Sequence, residues 1–251
     1  MAFRSLIAIS VLTPALALAS GCTFFVEEMT QERTATFTEG GWSSFAIVAD
    51  SMTGGLNVKG TADSVLKADA TVAALMNPSQ ADNAFTGANL VFQKNGSVLN
   101  LSASAGGDFA ELLYFQRLRI EAPATVDLDL SVDNTNVVIS DMAGNITAKT
   151  GSGSAKITTG GSIDLTTSSG TVIASVGFKA TVRGGAGSIN VTAGSIVDVR
   201  STAGAIVIDT PQGGSVHSDT GTIDLRLDSP NFGATTVDGT SGEVIVRLPK
   251  G

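Results

Sequence analysis

A period of 17 residues runs through the C-terminal half of this chain, and few folds tolerate it. Gly153, Gly170, Gly187, Gly204 and Gly221 stand at equal steps of 17, Asn136 stands 17 before the first, and Gly242 follows the last after 21. The final interval therefore holds an insertion of four, around residues 229–233. Two residues beyond the marks stand Val138, Ala155, Val172, Ile189, Ile206, Ile223 and Val244; four beyond stand Ser140, Ile157, Ala174, Val191, Ile208, Leu225 and Val246. Seven and five before the later marks come Ile146/Ala148, Ile163/Leu165, Ala180/Val182, Val197/Val199, Gly214/Val216 and Thr235/Val237. Apolar residues two apart follow the alternation of strands, not the spacing of helices. Between the two runs of each unit falls a second glycine (Gly144, Gly160, Gly177, Gly194, Gly213, Gly233), where a tight corner favours a residue without a Cβ.

Strand, corner, strand, corner at a constant period predicts an all-β, single-domain β-solenoid of about 17 residues per coil. The general preference of parallel crossovers makes it a right-handed β-helix. Coils stack at about 4.8 Å, and each exposes apolar residues that only its neighbours bury, at roughly 1.5–3 kcal/mol per fully buried side chain. Small and β-branched columns imply a thin core; Trp42 and Tyr114 both lie outside the repeat. Three residues before the marks, Thr150, Thr167, Gly184, Ser201, Ser218 and Gly239 suit a ladder of hydroxyls along one corner. At the far end Arg226, Glu243, Arg247 and Pro249 enter the final strands and are expected to guard the last edge against further strand addition.

Residues 1–21 read as an export signal: Arg4 begins it, 13 apolar residues from Leu6 to Leu18 follow, and Ala19-Ser20-Gly21 precede Cys22. The apolar run is shorter than the roughly 20 residues a bilayer requires. Cys22 is the one cysteine of the chain and stands where the similar bacterial lipoprotein box has its acceptor, with Ala19 in place of the commoner leucine. That resemblance implies a diacylglyceryl group on Cys22, a lipidated tether over residues 22–32, and a lipid-anchored protein of the bacterial cell envelope. Thr23 lacks the aspartate associated with inner-membrane retention, which favours the outer membrane. Removal of residues 1–21 takes Arg4 and leaves 14 basic against 23 acidic groups, a net charge of −9. Such a balance argues against nucleic acid as a partner and against a polybasic grip on anionic lipid, leaving the acyl chains as the membrane contact.

Residues 33–126 form a β-rich part without the strict period, ahead of the regular repeats of residues 127–251. Strands are predicted at residues 35–38, 45–49, 56–59, 65–73, 89–93, 98–103, 112–121 and 126–132. Lys94-Asn95-Gly96-Ser97 predicts a hairpin with a type I′ turn. Residues 77–83, with Pro78, read as a surface loop, and no helix of ordinary length is required. Tyr114, Phe115, Leu118 and Ile120 are expected to cover the open N-terminal end of the solenoid.

Ser169-Gly170-Thr171-Val172, Ala203-Gly204-Ala205-Ile206, Thr220-Gly221-Thr222-Ile223 and Ser241-Gly242-Glu243-Val244, with a strand ending Ile120-Glu121-Ala122-Pro123, resemble the adhesin-type β-strand-repeat family of bacteria. The likeness spans about residues 33–249 and departs most between residues 60 and 80. It implies a solenoid like the head domains of cell-surface proteins, and the family carries no catalytic residues to transfer.

Outward positions supply the candidate ligand face. Four before the marks stand Lys149, Thr166, Arg183, Arg200, His217 and Asp238; six before stand Thr147, Asp164, Thr181, Asp198, Ser215 and Thr236. Lys149, Arg183 and Arg200 beside Asp164 and Asp198 suit an acidic polysaccharide, or else a solvated face of self-compensating pairs, each worth about 0–1 kcal/mol. Asp164 and Asp198 lie two coils apart, roughly 9.6 Å at about 4.8 Å per coil, near the upper limit for an inverting carboxylate pair. Adjacent arginines suit two paired carboxylates, not a proton donor and its base, so a non-enzymatic role is expected. His217 is the one histidine, so no histidine-based triad or metal cluster is expected. Residues 184–189 begin like a calcium-binding nonapeptide, but Ile189 occupies the aspartate position. No cofactor is implied; the expected partners are the membrane, through the acyl chains, and an envelope polysaccharide or protein.

Overall fold

A computed structural model describes residues 27–49, 52–108 and 110–249; the expected leader and Cys22 lie outside the described residues. Alternation of inward and outward side chains produces short strands throughout. In chain order they are β1 (Glu27–Phe37), β2 (Ser44–Ala49), β3 (Met52–Thr61), β4 (Leu66–Met76), a helix α1 (Pro78–Phe85), β5 (Ala88–Asn95), β6 (Val98–Ala105), β7 (Leu113–Pro123), β8 (Asp127–Val132) and β9 (Asn136–Met142). The regular repeats continue with β10 (Ile146–Thr150), β11 (Ala155–Thr159), β12 (Ile163–Ser169), β13 (Val172–Val176), β14 (Ala180–Ala186) and β15 (Ile189–Ala193). They end with β16 (Val197–Ala203), β17 (Ile206–Thr210), β18 (Gly214–Thr220), β19 (Ile223–Leu227), β20 (Thr236–Ser241) and β21 (Val244–Arg247). Odd strands from β9 onward belong to an 11-stranded sheet and even strands from β8 to a 10-stranded sheet, so each coil contributes one strand to each.

The predicted solenoid is present, and its register is that of the period. Ile163 lies on Ala180 and Ala180 on Val197 in one sheet, and Val172 on Ile189 and Ile189 on Ile206 in the other. Between the sheets these columns form a dry shaft: Leu165, Val182, Val191, Val199, Ile206, Ile208, Ile223 and Leu225 are fully buried.

The first repeat departs from the expected columns. β8 and β9 pair with β10 and β11 at an offset of 18, which turns Val137 and Ile139 inward and leaves Val138 36% exposed. The expected inward pair Val138 and Ser140 is therefore corrected by one residue. A bulge at Ser140 and Asp141, with Asp141 at φ 59°, absorbs the extra residue and restores the offset of 17 at Met142 opposite Thr159.

The hydroxyl column is buried but forms no ladder. Among the described residues no hydroxyl of the column bonds the next hydroxyl: Thr167 donates to the carbonyl of Ser169 at 2.9 Å, Ser201 to Ala203 at 2.9 Å and Ser218 to Thr220 at 3.1 Å, with longer contacts from Thr167 and Ser201 to the Gly151 and Gly185 carbonyls of the preceding coil at 3.4 and 3.2 Å. A hydroxyl two residues before the corner is better placed to satisfy its own bent backbone than a hydroxyl in the next coil.

Coil order does not follow chain order at the N-terminal end. β2 lies between β6 and β8, and β3 between β7 and β9, so the first coil made is the second in the stack. The link from β7 to β8 steps over it, with Ala124 donating to the Thr61 carbonyl at 2.9 Å and accepting from the Ala143 amide at 2.7 Å. Residues 33–126 thus stack as one block on the first regular coil, with their own coils out of chain order.

A cap of antiparallel strands closes this end. β4 runs antiparallel to β7, β1 antiparallel to β4 over their full 11 residues, and β5 antiparallel to β6. Residues 27–32, expected as tether, form the first half of β1. Residues 78–85, expected mostly as loop, form α1: Asn77 accepts from the Ser79 amide at 3.1 Å, Pro78 opens the helix, and Ala81, Ala84 and Phe85 are buried. An N-cap asparagine before proline is a helix-start signal that the sequence reading passed over. The hairpin is present, but its loop is Gly96-Ser97 with only Gly96 at positive φ (62°), the pattern of a II′ turn in place of I′. Phe115, Leu118 and Ile120 belong to a coil strand with the cap laid outside it, so the cover is β1, β4 and α1. The aromatic rings gather here: Phe45 packs against Trp42 and Phe92 at centroid distances of 6.3 and 6.4 Å, and Phe92 against Phe37 at 6.1 Å.

At the other end the charges expected as a guard do not cover the last edge among the described residues. Arg226 turns outward to Asp228 at 2.8 Å and Arg247 outward to Asp224 at 2.8 Å, leaving Val244 and Val246 each 44% exposed over the last coil.

Candidate functional site: the outer face of the ten-stranded sheet

Strand pairing brings the two outward columns into the order expected. Thr147, Asp164, Thr181, Asp198, Ser215 and Thr236 pair in sequence across successive strands, as do Lys149, Thr166, Arg183, Arg200, His217 and Asp238. Their inward neighbours on the same strands are locked in the shaft, so the β-pleat turns these side chains to the outer face, where all but the buried Thr181 reach solvent.

Charge on the face is largely self-matched. Arg183 Nη1 lies 3.3 Å from Asp164 Oδ1, and Arg200 Nε lies 3.6 Å from Asp198 Oδ1. Asp198 Oδ1 is buried and makes no shorter contact to a donor among the described residues. Lys149, between Ser131 and Thr166, carries no ion pair among the described residues. A shallow depression of about 360 Å³ lies beside the columns, between Ile196, Asp198, Ser215 and Ala234.

One feature of the face was not anticipated. His217 Nε2 lies 2.9 Å from Asp219 Oδ1 and Nδ1 3.1 Å from Asp238 Oδ2. Two carboxylates can both accept only from an imidazole carrying both protons. The hydrogen bond to Asp219 raises the His217 pKa above the ordinary 6.5; partial burial opposes this, and the bond to Asp238 and the charges of both carboxylates add to it. The shared column of His217 and Asp238, with Asp219 two residues on, was the signal in the sequence. These carboxylates sit on opposite edges of the ring, and no group of three or more His, Cys, Asp or Glu among the described residues converges as a metal site would. Cys22, the expected lipidation site, lies outside the described residues.

No protein-family model matches the chain, and no curated protein matches it. Among solved structures it is similar to a "putative lipid binding protein" of Parabacteroides distasonis, at 14% identity and a TM-score of 0.47, over 85% of this chain and 96% of that one. It is also similar to a "putative adhesin" of Parabacteroides merdae, at 13% identity and a TM-score of 0.45, over 86% and 96% of the two chains. A third is a "putative cell adhesion protein" of Clostridium sporogenes, at 10% identity and a TM-score of 0.40, over 87% and 99%. At these TM-scores the assignment of the fold rests on this chain's own strand register.

Proposed function

We propose that this chain is a non-enzymatic, lipid-anchored protein of the bacterial cell envelope, held in the outer membrane by acyl chains on Cys22, whose β-solenoid is a structural or adhesive surface. The observation that carries the reading is the outer face of the ten-stranded sheet: acids and bases run in registered columns and pair with each other, with Asp164 held by Arg183 and Asp198 by Arg200. An arginine beside each carboxylate, at 3.3 and 3.6 Å on one outer face, is the arrangement of a self-compensating surface, each exposed pair being worth about 0–1 kcal/mol. Anchoring is supported by the sequence before Cys22 and is tested by Cys22→Ala. The variant is expected in the soluble fraction; continued partition with membranes overturns the anchor.

A second reading, a carbohydrate-binding face or a degenerate polysaccharide enzyme, draws on Lys149, Arg183 and Arg200 in one column, with the two arginine side chains 51% and 63% exposed. A glycan array separates the readings, since this one requires a signal that Arg183→Ala/Arg200→Ala removes.

A further inference from the structure

The two ends of the solenoid are unlike. At the N-terminal end β1, β4 and α1 lie over the coils, and Phe45, Phe115, Leu118 and Ile120 are fully buried beneath them. At the C-terminal end β21 pairs with β19 on one side only, and nothing among the described residues covers the other. Val244 and Val246 continue the columns of Ile223 and Leu225, both 0% exposed, yet are themselves 44% exposed; Leu248, next in the alternation, is 62% exposed. The arginine of this end lies on the outer face, where Arg247 donates to both oxygens of Asp224 at 3.0 and 2.8 Å. An open strand edge continuous with an apolar shaft is a template for another strand.

We propose that a second copy of this chain occupies that end, β21 against β21 of the partner, antiparallel about a two-fold axis. The N-terminal edge strand β1 is polar, with Glu27, Glu28, Gln31, Glu32 and Arg33, and lies over a closed core, so it does not match the apolar edge of β21 for head-to-tail growth and a closed pair is favoured over a fibre. Residues directly opposite in an antiparallel pair point to the same side, so inward valines must meet inward residues. Registers centred on Val244, Ile245 or Val246 satisfy that rule. Only the register centred on Ile245 also matches charge: it sets Val244 against Val246, and Glu243 against Arg247, twice by symmetry. It also sets Pro249, which has no amide hydrogen, against Ser241 at the corner, where the ladder ends. β20 adds little to the contact, since its inward positions are Val237 and Gly239.

In this register the two copies of Ile245 face each other with Cα atoms about 4.5–5.5 Å apart, within disulfide reach. The test is Ile245→Cys in the full-length chain carrying Cys22→Ser, under mild oxidation, with sedimentation of the unmodified full-length chain in parallel. The expected result is a dimer in sedimentation and a covalent dimer from Ile245→Cys. Val207→Cys, on the same outward column two coils away, should give no covalent dimer on oxidation. Val246→Asp should abolish the dimer while leaving the β circular dichroism unchanged, since that side chain is already half exposed. Glu243→Arg should weaken association about tenfold, as opposed like charges do. A monomer at all attainable concentrations, or cross-linking of Ile245→Cys no faster than of Val207→Cys, overturns the proposal.

Discussion

A Cβ placed on Gly187 would lie 2.0 Å from the carbonyl oxygen of Gly170 directly beneath it. The same approach recurs along the corner at 1.8 to 2.4 Å, and Gly187 also takes φ of 131°. Both the backbone angle and the space exclude a side chain. Gly187→Ala should therefore destabilise the domain by about 3 kcal/mol or more. Gly96 is a useful contrast: its φ is 62° but nothing lies within 4 Å of the added carbon, so Gly96→Ala should cost only about 1–2 kcal/mol. Denaturant melts of the two variants compare them, and an equal loss would show that stacking distance does not matter.

Two threonines of one buried column should respond oppositely to valine. Thr167 donates to Ser169 at 2.9 Å, whereas the Thr150 hydroxyl is buried without a partner among the described residues. Thr167→Val should cost about 1–3 kcal/mol, the range for a lost buried hydrogen bond. Thr150→Val removes an unsatisfied group and should be neutral or stabilising. Thermal unfolding of the pair decides it; a larger loss at Thr150 would refute the assignment.

The docking of β20 onto β18 should weaken as pH rises. His217 binds Asp219 and, across the strands, Asp238, and its pKa is raised in the folded chain. A raised folded value means that its stabilising contribution is complete below 6.5, the ordinary histidine value, and is lost as pH rises through the folded value. Arg200, the neighbour in the column, is engaged with Asp198. Amide protection in β20, corrected for intrinsic exchange, should fall over that interval, and His217→Gln should flatten the profile. Protection that rises with pH would reverse the sign and reject the account.

Deleting residues 27–32 should harm the fold, which a flexible tether would not do. This segment pairs with β4 from Met76 to Thr71 and borders Val72, Ala74 and Met76, all buried. Loss of half an edge strand and its cover should cost about 3 kcal/mol and expose an edge prone to association. A shortened chain that melts at the original temperature would restore the tether reading.

Much of the candidate face was readable in advance because solenoid coils repeat at short range. Once the step of 17 residues is recognised, the neighbours of Asp164, Arg183, Asp198 and Arg200 follow by counting. Counting failed where a single residue was added: Val138 counts as inward from Asn136, but the bulge at Asp141 shifts the alternation by one. The ring of His217 between two carboxylates was overlooked because a lone histidine was judged against catalytic and metal clusters instead of its column.

Glycine spacing and two-residue alternation are local properties, and they dictated the two-sheet shaft, its thinness and its outward charges without reference to any distant residue. Placement of β2 and β3 between coils made later in the chain is different in kind. Phe45, Ile47, Leu56 and Val58 alternate as any coil strand does and fit one level of the stack as well as another by pattern alone. What chose their level was burial on both sides, between β6 and β8 and between β7 and β9, together with antiparallel strands that close only the outermost coil. Those are contacts between segments far apart in the chain, set by packing in three dimensions.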